Sequence, residues 1–261
     1  MVVILQLVLF LIGIIIFLPK HLLKQPFKTS FTNIIHQLPW FFIIIAVVTV
    51  HLIEVNVIDH LATMMVGTDI AVLFTSIEDS VVANIHIYWN IFLLAFFVIM
   101  YIVVYPFILW FSTLYFLLDD QKRSLQSLAI GLLCLYLISL PFYLFFPVSN
   151  VYTANNLDSA LSMIFPSINS FFYVTTTSNN CFPSLHVGMS ILIAWSVKQS
   201  NNRRFYLFAL FSMVSVIISV MYLAIHWIID VIGGIIVASA AMIISSALLK
   251  RFSSYDSISR N

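Results

Sequence analysis

From Tyr88 to Leu118 the chain runs without a single Asp, Glu, Lys, Arg or His. That exceeds the roughly 20 residues a helix needs to cross ~30 Å of hydrocarbon. Similar apolar runs lie at about 2–18, 38–57, 125–147, 186–200, 204–224 and 227–249. Inside a bilayer every backbone N–H and C=O must be satisfied within the protein, which leaves helices or closed barrels. These runs are continuously apolar and do not alternate, so they are read as helices. The chain is 62% hydrophobic and 8% charged, against about 25% charged in soluble domains. The expected fold class is therefore an all-α integral membrane protein of about seven transmembrane helices.

Two runs depart from the ordinary length. The run at 88–118 is over-long and holds Pro106, which predicts a kink or tilt. The run from 186 has its apolar part between Val187 and Val197, and by length alone it is also compatible with a re-entrant segment. The opening run lacks a basic leading region and an A-x-A site, so it reads as a retained helix. The last two runs follow one another without a Gly/Pro turn. No internal repeat or low-complexity segment is present.

Charge supports this threading. With seven crossings, Lys20, Lys24, Lys28, Lys122, Arg123, Lys198, Arg203, Arg204, Lys250, Arg251 and Arg260 all fall on one side. Glu54, Asp59, Asp69, Glu78, Asp79, Asp158 and Asp230 fall on the other, with no Lys or Arg. The positive-inside rule makes the basic side, with the C-terminus, cytoplasmic. Expected organisation is a two-helix extension with an outer interfacial segment over 1–87, a helical core over 88–250, and a disordered cytoplasmic tail over 251–261. The stretches 60–87 and 147–183 lie outside the membrane and are expected to lid a site. The chain is expected in a cell membrane or endomembrane, with membrane lipid as its surroundings. A net charge of +1 argues against a nucleic-acid partner. Cys134 and Cys181 are too few for a disulfide framework and are expected as free thiols. Nothing in the sequence sets the oligomeric state.

Two stretches carry candidate chemistry: Asn179–Ser190 ("NNCFPSLHVGMS") and Met221–Ser239 ("MYLAIHWIIDVIGGIIVAS"). Both sit at outer helix ends, separated by one cytoplasmic hairpin, so His186 and His226 return to one face. His226 and Asp230 are four apart and share a helical face. A carboxylate on one imidazole nitrogen fixes the tautomer and leaves the other nitrogen a nucleophile. Ser184 is a plausible N-cap, leaving free N–H groups at Leu185 to Val187 that suit a phosphate. An interfacial His is more often structural, and an H-x-x-x-D pair is common; the joint arrangement favours function. His51, Glu54, Asp59, His60 and His86 read as interfacial polar residues, with lining the site or binding a metal as the alternative. Asp119–Arg123 reads as a solvated turn with local ion pairs. Gly233, Gly234, Ala238 and Ala240 suit close helix packing.

"FPSLHVG" (Phe182–Gly188) resembles the P-S-x-H signature of the type 2 phosphatidic acid phosphatase superfamily. "SVMYLAIHWIIDVIGG" (Ser219–Gly234) resembles its last signature. The pattern is most similar to the inositol phosphorylceramide synthase-like branch, as is "FPV" at Phe146–Val148. The resemblance covers roughly 90–249 and leaves the first two runs unexplained. It implies the superfamily's helical bundle, a metal-independent and cofactor-free site, and three catalytic residues. His226 is the implied nucleophile, Asp230 orients it, and His186 serves as acid and base. Ser184 and Leu185 are the implied phosphate-binding residues. The superfamily's K-x-x-x-x-x-x-R-P signature is absent, and Val220 stands where its last signature has Arg. With no permanent cation, a phosphodiester suits the site better than a monoester dianion. The resemblance thus implies a membrane-embedded phosphotransferase with a phospholipid as its substrate: phosphodiester headgroup transfer, inositolphosphotransferase-like, through a phosphohistidine. A lipid or polyprenyl phosphate phosphatase and a non-enzymatic haem- or metal-binding membrane protein are the alternatives.

Overall fold

The computed structural model of the chain describes residues 2–22, 27–164 and 168–258. Lys24 and Arg260, two of the basic residues assigned to the cytoplasmic face, lie outside them. Among the described residues there are helices and no strand, only a single bridge between Val148 and Asn180. The helices are α1 (Val2–Phe17), α2 (Phe27–Ile53), α3 (Asp59–Val66), α4 (Ala71–Glu78), α5 (Ile91–Ile99), α6 (Tyr105–Leu118) and α7 (Lys122–Phe145). They continue with α8 (Val151–Ala154), α9 (Ala160–Ile164), α10 (Ile168–Thr175), α11 (Leu185–Lys198), α12 (Arg203–Tyr222) and α13 (Ile228–Ile258).

Five stretches are long and apolar enough to cross a membrane: Ile34–Val66, Ile91–Leu118, Lys122–Phe145, Arg203–Tyr222 and Ile228–Arg251. They make the chain an integral membrane protein. α1 and α11 are apolar but have 16 and 14 residues, so by length they fall short of the ~20 a crossing needs. The first of the long stretches differs from expectation. It was expected to end near 57, but a π-helical turn, Glu54–Ile58, carries α2 straight into α3. No breaker intervenes until Gly67, which adopts the left-handed conformation (φ 64°) and closes the helix.

The over-long run at 88–118 holds one continuous helix, Ile91–Leu118, with a π-helical turn at Met100–Val104 just before Pro106. Pro106 has no N–H to continue the ladder. Gln6 of α1 donates to the Val103 carbonyl at 2.7 Å, satisfying an acceptor inside the turn. α1 lies against α6 at Gly13, where a Cβ would sit 2.8 Å from the Phe111 ring.

The turn between α12 and α13 needs no glycine. Ile225 N–H donates to the Val220 carbonyl and Ala224 N–H to the Met221 carbonyl, both at 3.0 Å. Ala224 takes the left-handed position (φ 53°) that glycine usually fills. α13 then runs on to Ile258, so the tail expected to be disordered from 251 is helical to there; no Gly or Pro follows Gly234 to stop it.

α7 packs against α2, α11 and α13, and α11 against α12 and α13. At one end, His21 pairs with Asp119 at 3.1 Å, Gln37 donates to Asp120, and Asn202 donates to the Phe17 carbonyl. The Asp119–Arg123 turn therefore bonds to α2 and to the residues after α1, rather than through local ion pairs. Lys122, Arg123, Lys198, Arg203 and Arg204 flank the two turns at this end. The opposite end gathers Glu54, Asp59, Glu78 and Asp230, all buried, with α8, α9 and α10.

Candidate active site

The α11 N-terminus begins with Ser184, whose hydroxyl accepts from Val187 N–H. Its backbone N–H donates to the Asp230 carbonyl at 3.0 Å, so α11 and α13 start side by side. Gly234 permits this approach: a Cβ there would lie 2.6 Å from the Ser184 carbonyl oxygen. Gly188 makes room for α7 instead, since its Cβ would lie 2.6 Å from the Leu135 side chain. Gly233 likewise faces Phe182. The loop before Ser184 is tied to 148–150: Val148 N–H donates to Asn179, Cys181 N–H to Val148, and Asn150 N–H to Ser178. The "FPV" stretch thus holds the loop that opens α11.

His186 projects from the first turn of α11. The rings of Tyr101 and Tyr105 lie 4.5 and 4.9 Å from its own. The Tyr101 hydroxyl is 3.4 Å from Nδ1. These tyrosines had no sequence signal beyond their place beside Pro106, and the π-helical turn is what brings Tyr101 round to the imidazole.

His226 does not share a helix with Asp230, as their spacing suggested. It stands in the turn before α13, held by its N–H on the Val220 carbonyl at 3.0 Å. The pairing survives because Asp230 lies in the first turn of α13 and reaches back. Its Oδ2 accepts from His226 Nδ1 at 3.1 Å and from Trp227 N–H at 2.8 Å. With Nδ1–H committed to Asp230, Nε2 carries the lone pair. Trp227 is buried and donates its indole N–H to the Ser149 carbonyl. Glu78 accepts from Ile229 N–H at 2.8 Å, capping α13 from outside.

The two imidazoles face each other, with ring centroids 6.0 Å apart. Both line a cavity of about 30 Å³ together with Leu185, Tyr143, Asn150, Thr177 and Asn180. Ser184 does not line it: its side chain is buried and spent as the cap. Leu185 does. No Lys or Arg lines the cavity among the described residues. Thr177 Oγ1 and Asn180 Oδ1 are buried without a protein partner. Val55, Thr176 and Thr177 separate the cavity from an open cleft of about 680 Å³, which Asp59, His60, Asp69 and Asn179 also line.

His51 and Glu54 read as interfacial polar residues in the sequence, but they belong here. His51 lines the cavity. Glu54 is fully buried, accepts from Asn180 at 2.6 Å and faces His51 Nδ1 at 3.4 Å. His60 is exposed on the cleft, and His86 turns to the Ala83 carbonyl, away from the cavity lining.

One described group has metal-ligand chemistry: Cys181, His226 and Asp230, with ligand atoms within 4.8 Å of one another. The reactive form of a thiol ligand is the thiolate, yet burial, with Asp230 nearby, pushes the Cys181 thiol well up. Cys181 Sγ lies 3.7 Å from the Ile225 carbonyl. Both cysteines are free.

A family model described as the PAP2 superfamily matches residues 78–244. The match spans well over half of the chain and contains His186, His226 and Asp230; α1, α2 and His51 lie before it. No curated protein and no solved structure matches the chain.

Proposed function

The chain belongs to the PAP2 superfamily, and on that premise we propose that it is a membrane-embedded phosphotransferase acting on a phosphodiester lipid through a phosphohistidine. The observation that carries the reading is the pair of facing imidazoles 6.0 Å apart, one of them held by a buried carboxylate. That spacing leaves room for one phosphorus between them.

His226 Nε2 attacks phosphorus in line, and the bond to the lipid alcohol breaks. His186 gives its proton to the departing oxygen. The headgroup phosphate is then bonded to His226 through nitrogen. An acceptor hydroxyl attacks phosphorus from the other side, loses its proton to His186, and the N–P bond breaks. Asp230 holds the His226 tautomer and stabilises the positive charge that develops on the ring. The amides of Leu185 and His186, with no carbonyl one turn back, are donors for phosphate oxygens. Histidine acid–base work of this kind contributes roughly 10²–10⁴-fold.

The absence of Lys and Arg from the cavity lining favours a singly charged diester over a monoester dianion, in line with the inositol phosphorylceramide synthase-like pattern. We read α1 and α11 as crossing helices too, giving seven. Ser184 at the head of α11 bonds to Asp230, while Ser127 near the head of α7 bonds to Gln199 just past its foot. α11 thus runs from the acidic end of the bundle to the basic end. The positive-inside rule then sets the basic end in the cytoplasm and the site on the outer face. The open cleft beside Thr176 and Thr177 is the route for a polar acceptor, and lipid enters from the bilayer.

The test is turnover of matched phosphatidate-like and phosphodiester lipids by the purified protein, with products identified by mass spectrometry. Faster diester conversion, with headgroup transfer to an alcohol, is expected. Faster phosphate release from the monoester would overturn the transferase in favour of a phosphatase using the same residues.

A further inference from the structure

A phosphate between His186 and His226 needs positive charge beside it. Among the described residues no Lys or Arg lines the cavity, while Glu54 and Asp230 are fully buried. Besides the amides at the head of α11, the side chains there that can carry positive charge are imidazoles. His226 spends its Nδ1–H on Asp230 and its Nε2 on the attack. His186 must give its proton away. One further imidazole lines the same cavity: His51, carried by α2.

His51, like His226, has a buried carboxylate beside its Nδ1: Glu54 Oε2 lies 3.4 Å away, and neither atom has a hydrogen-bond partner. Glu54 sits on the π-helical turn that follows α2, three residues on, and its other oxygen accepts from Asn180 at 2.6 Å. Asn180 belongs to the loop that opens α11. The His51–Glu54 pair is thereby tied to the same loop that positions His186. The Tyr136 ring meets His51 edge-on at 5.8 Å and limits its swing.

Resting on the phosphotransferase reading, we propose that His51 is the phosphate-binding cation of this site, held in place by Glu54. α2 lies outside the matched residues 78–244. The function of His51 is to hold the non-reacting phosphate oxygens while His226 and His186 exchange bond and proton. Glu54 is a positioning residue acting through His51.

The test is equilibrium binding of orthovanadate to the full-length protein in nanodiscs, comparing wild type with H226A, H51Q and H51R. H226A should abolish binding. H51Q should weaken it about tenfold or more, the size of one hydrogen bond to a charged group. H51R, a fixed cation, should hold vanadate closer to wild type than H51Q does. An H51Q protein that binds as wild type while H226A does not would overturn this proposal and leave the phosphotransferase standing. Equal loss in H51Q and H51R would overturn it too, because charge would not be the property that matters. Wild-type protein that ignores vanadate, or an H226A protein that binds it normally, would sink the underlying site and this proposal with it. For Glu54, acting through His51, E54Q should weaken vanadate binding and add little to the loss in H51Q; additive losses in the double variant would remove the carboxylate from the proposal.

Discussion

Gly234→Ala tests the packing that sets the site without touching any reacting group. The added Cβ would lie 2.6 Å from the Ser184 carbonyl oxygen, where ordinary contact begins at 3.4 Å. The shortfall is about 0.8 Å. The atom in the way is backbone, so no side chain can swing aside. Val187 Cβ at 3.1 Å blocks the neighbouring direction. α11 must therefore move off α13, carrying His186 away from His226. A misplacement near 1 Å costs on the order of 10²-fold in rate. Turnover of the diester lipid should fall roughly 10- to 100-fold, about 1.4–2.7 kcal/mol of barrier. Overpacking should also lower stability by about 1–3 kcal/mol. Ser239→Ala, a half-buried position one turn and more along the same helix, is the control and should leave both unchanged. Single-turnover kinetics with thermal melting in detergent separates the two effects. A G234A protein with wild-type turnover and melting would refute the argument that the α11–α13 approach sets the imidazole spacing.

Other outcomes follow from the same geometry. His226→Ala should abolish turnover, and His186→Ala should lower it by about 10²–10⁴-fold, measured as burst and steady-state rates. A chelator should leave wild-type turnover unchanged, whereas metal-dependent loss and recovery would point to the Cys181, His226 and Asp230 atoms instead. The Cys181 thiol, buried and pushed up toward the neutral form, should resist maleimide in the folded protein and react fully once denatured. Gln6→Leu strips the Val103 carbonyl of its partner and should cost about 1–3 kcal/mol of stability, read from melting temperature.

The features legible in the sequence are the local ones. The Ser184 cap, the contact of His226 with Asp230 and the close packing at Gly233 and Gly234 are each decided within a few residues. The helical class follows from apolar run length. Less local features escaped. The α12–α13 turn carries no punctuation because Ala224 occupies the left-handed position, and that same turn takes His226 out of the helix that its spacing implied. The continuation of α2 through Glu54 depends on a π-helical turn, which has no periodicity of its own. The place of His51 and Glu54 depends on a hydrogen bond to Asn180, 126 residues along the chain, and no spacing rule reaches that far. Tyr101 and Tyr105 resemble any other aromatic in an apolar run until His186 is set between them. Five of the helices are long enough to cross by length alone; α1 and α11, at 16 and 14 residues, match the short runs read in the sequence.

The central claim is a nitrogen–phosphorus bond at one imidazole. Its most direct measurement is rapid mixing of the protein with a phosphodiester lipid, alkaline quench to preserve phosphohistidine, and peptide mapping by mass spectrometry. A transient headgroup-phosphate adduct on His226, absent from H226A and discharged by acceptor, is the predicted result. An adduct on another residue, or turnover with no adduct at any time point, would contradict it.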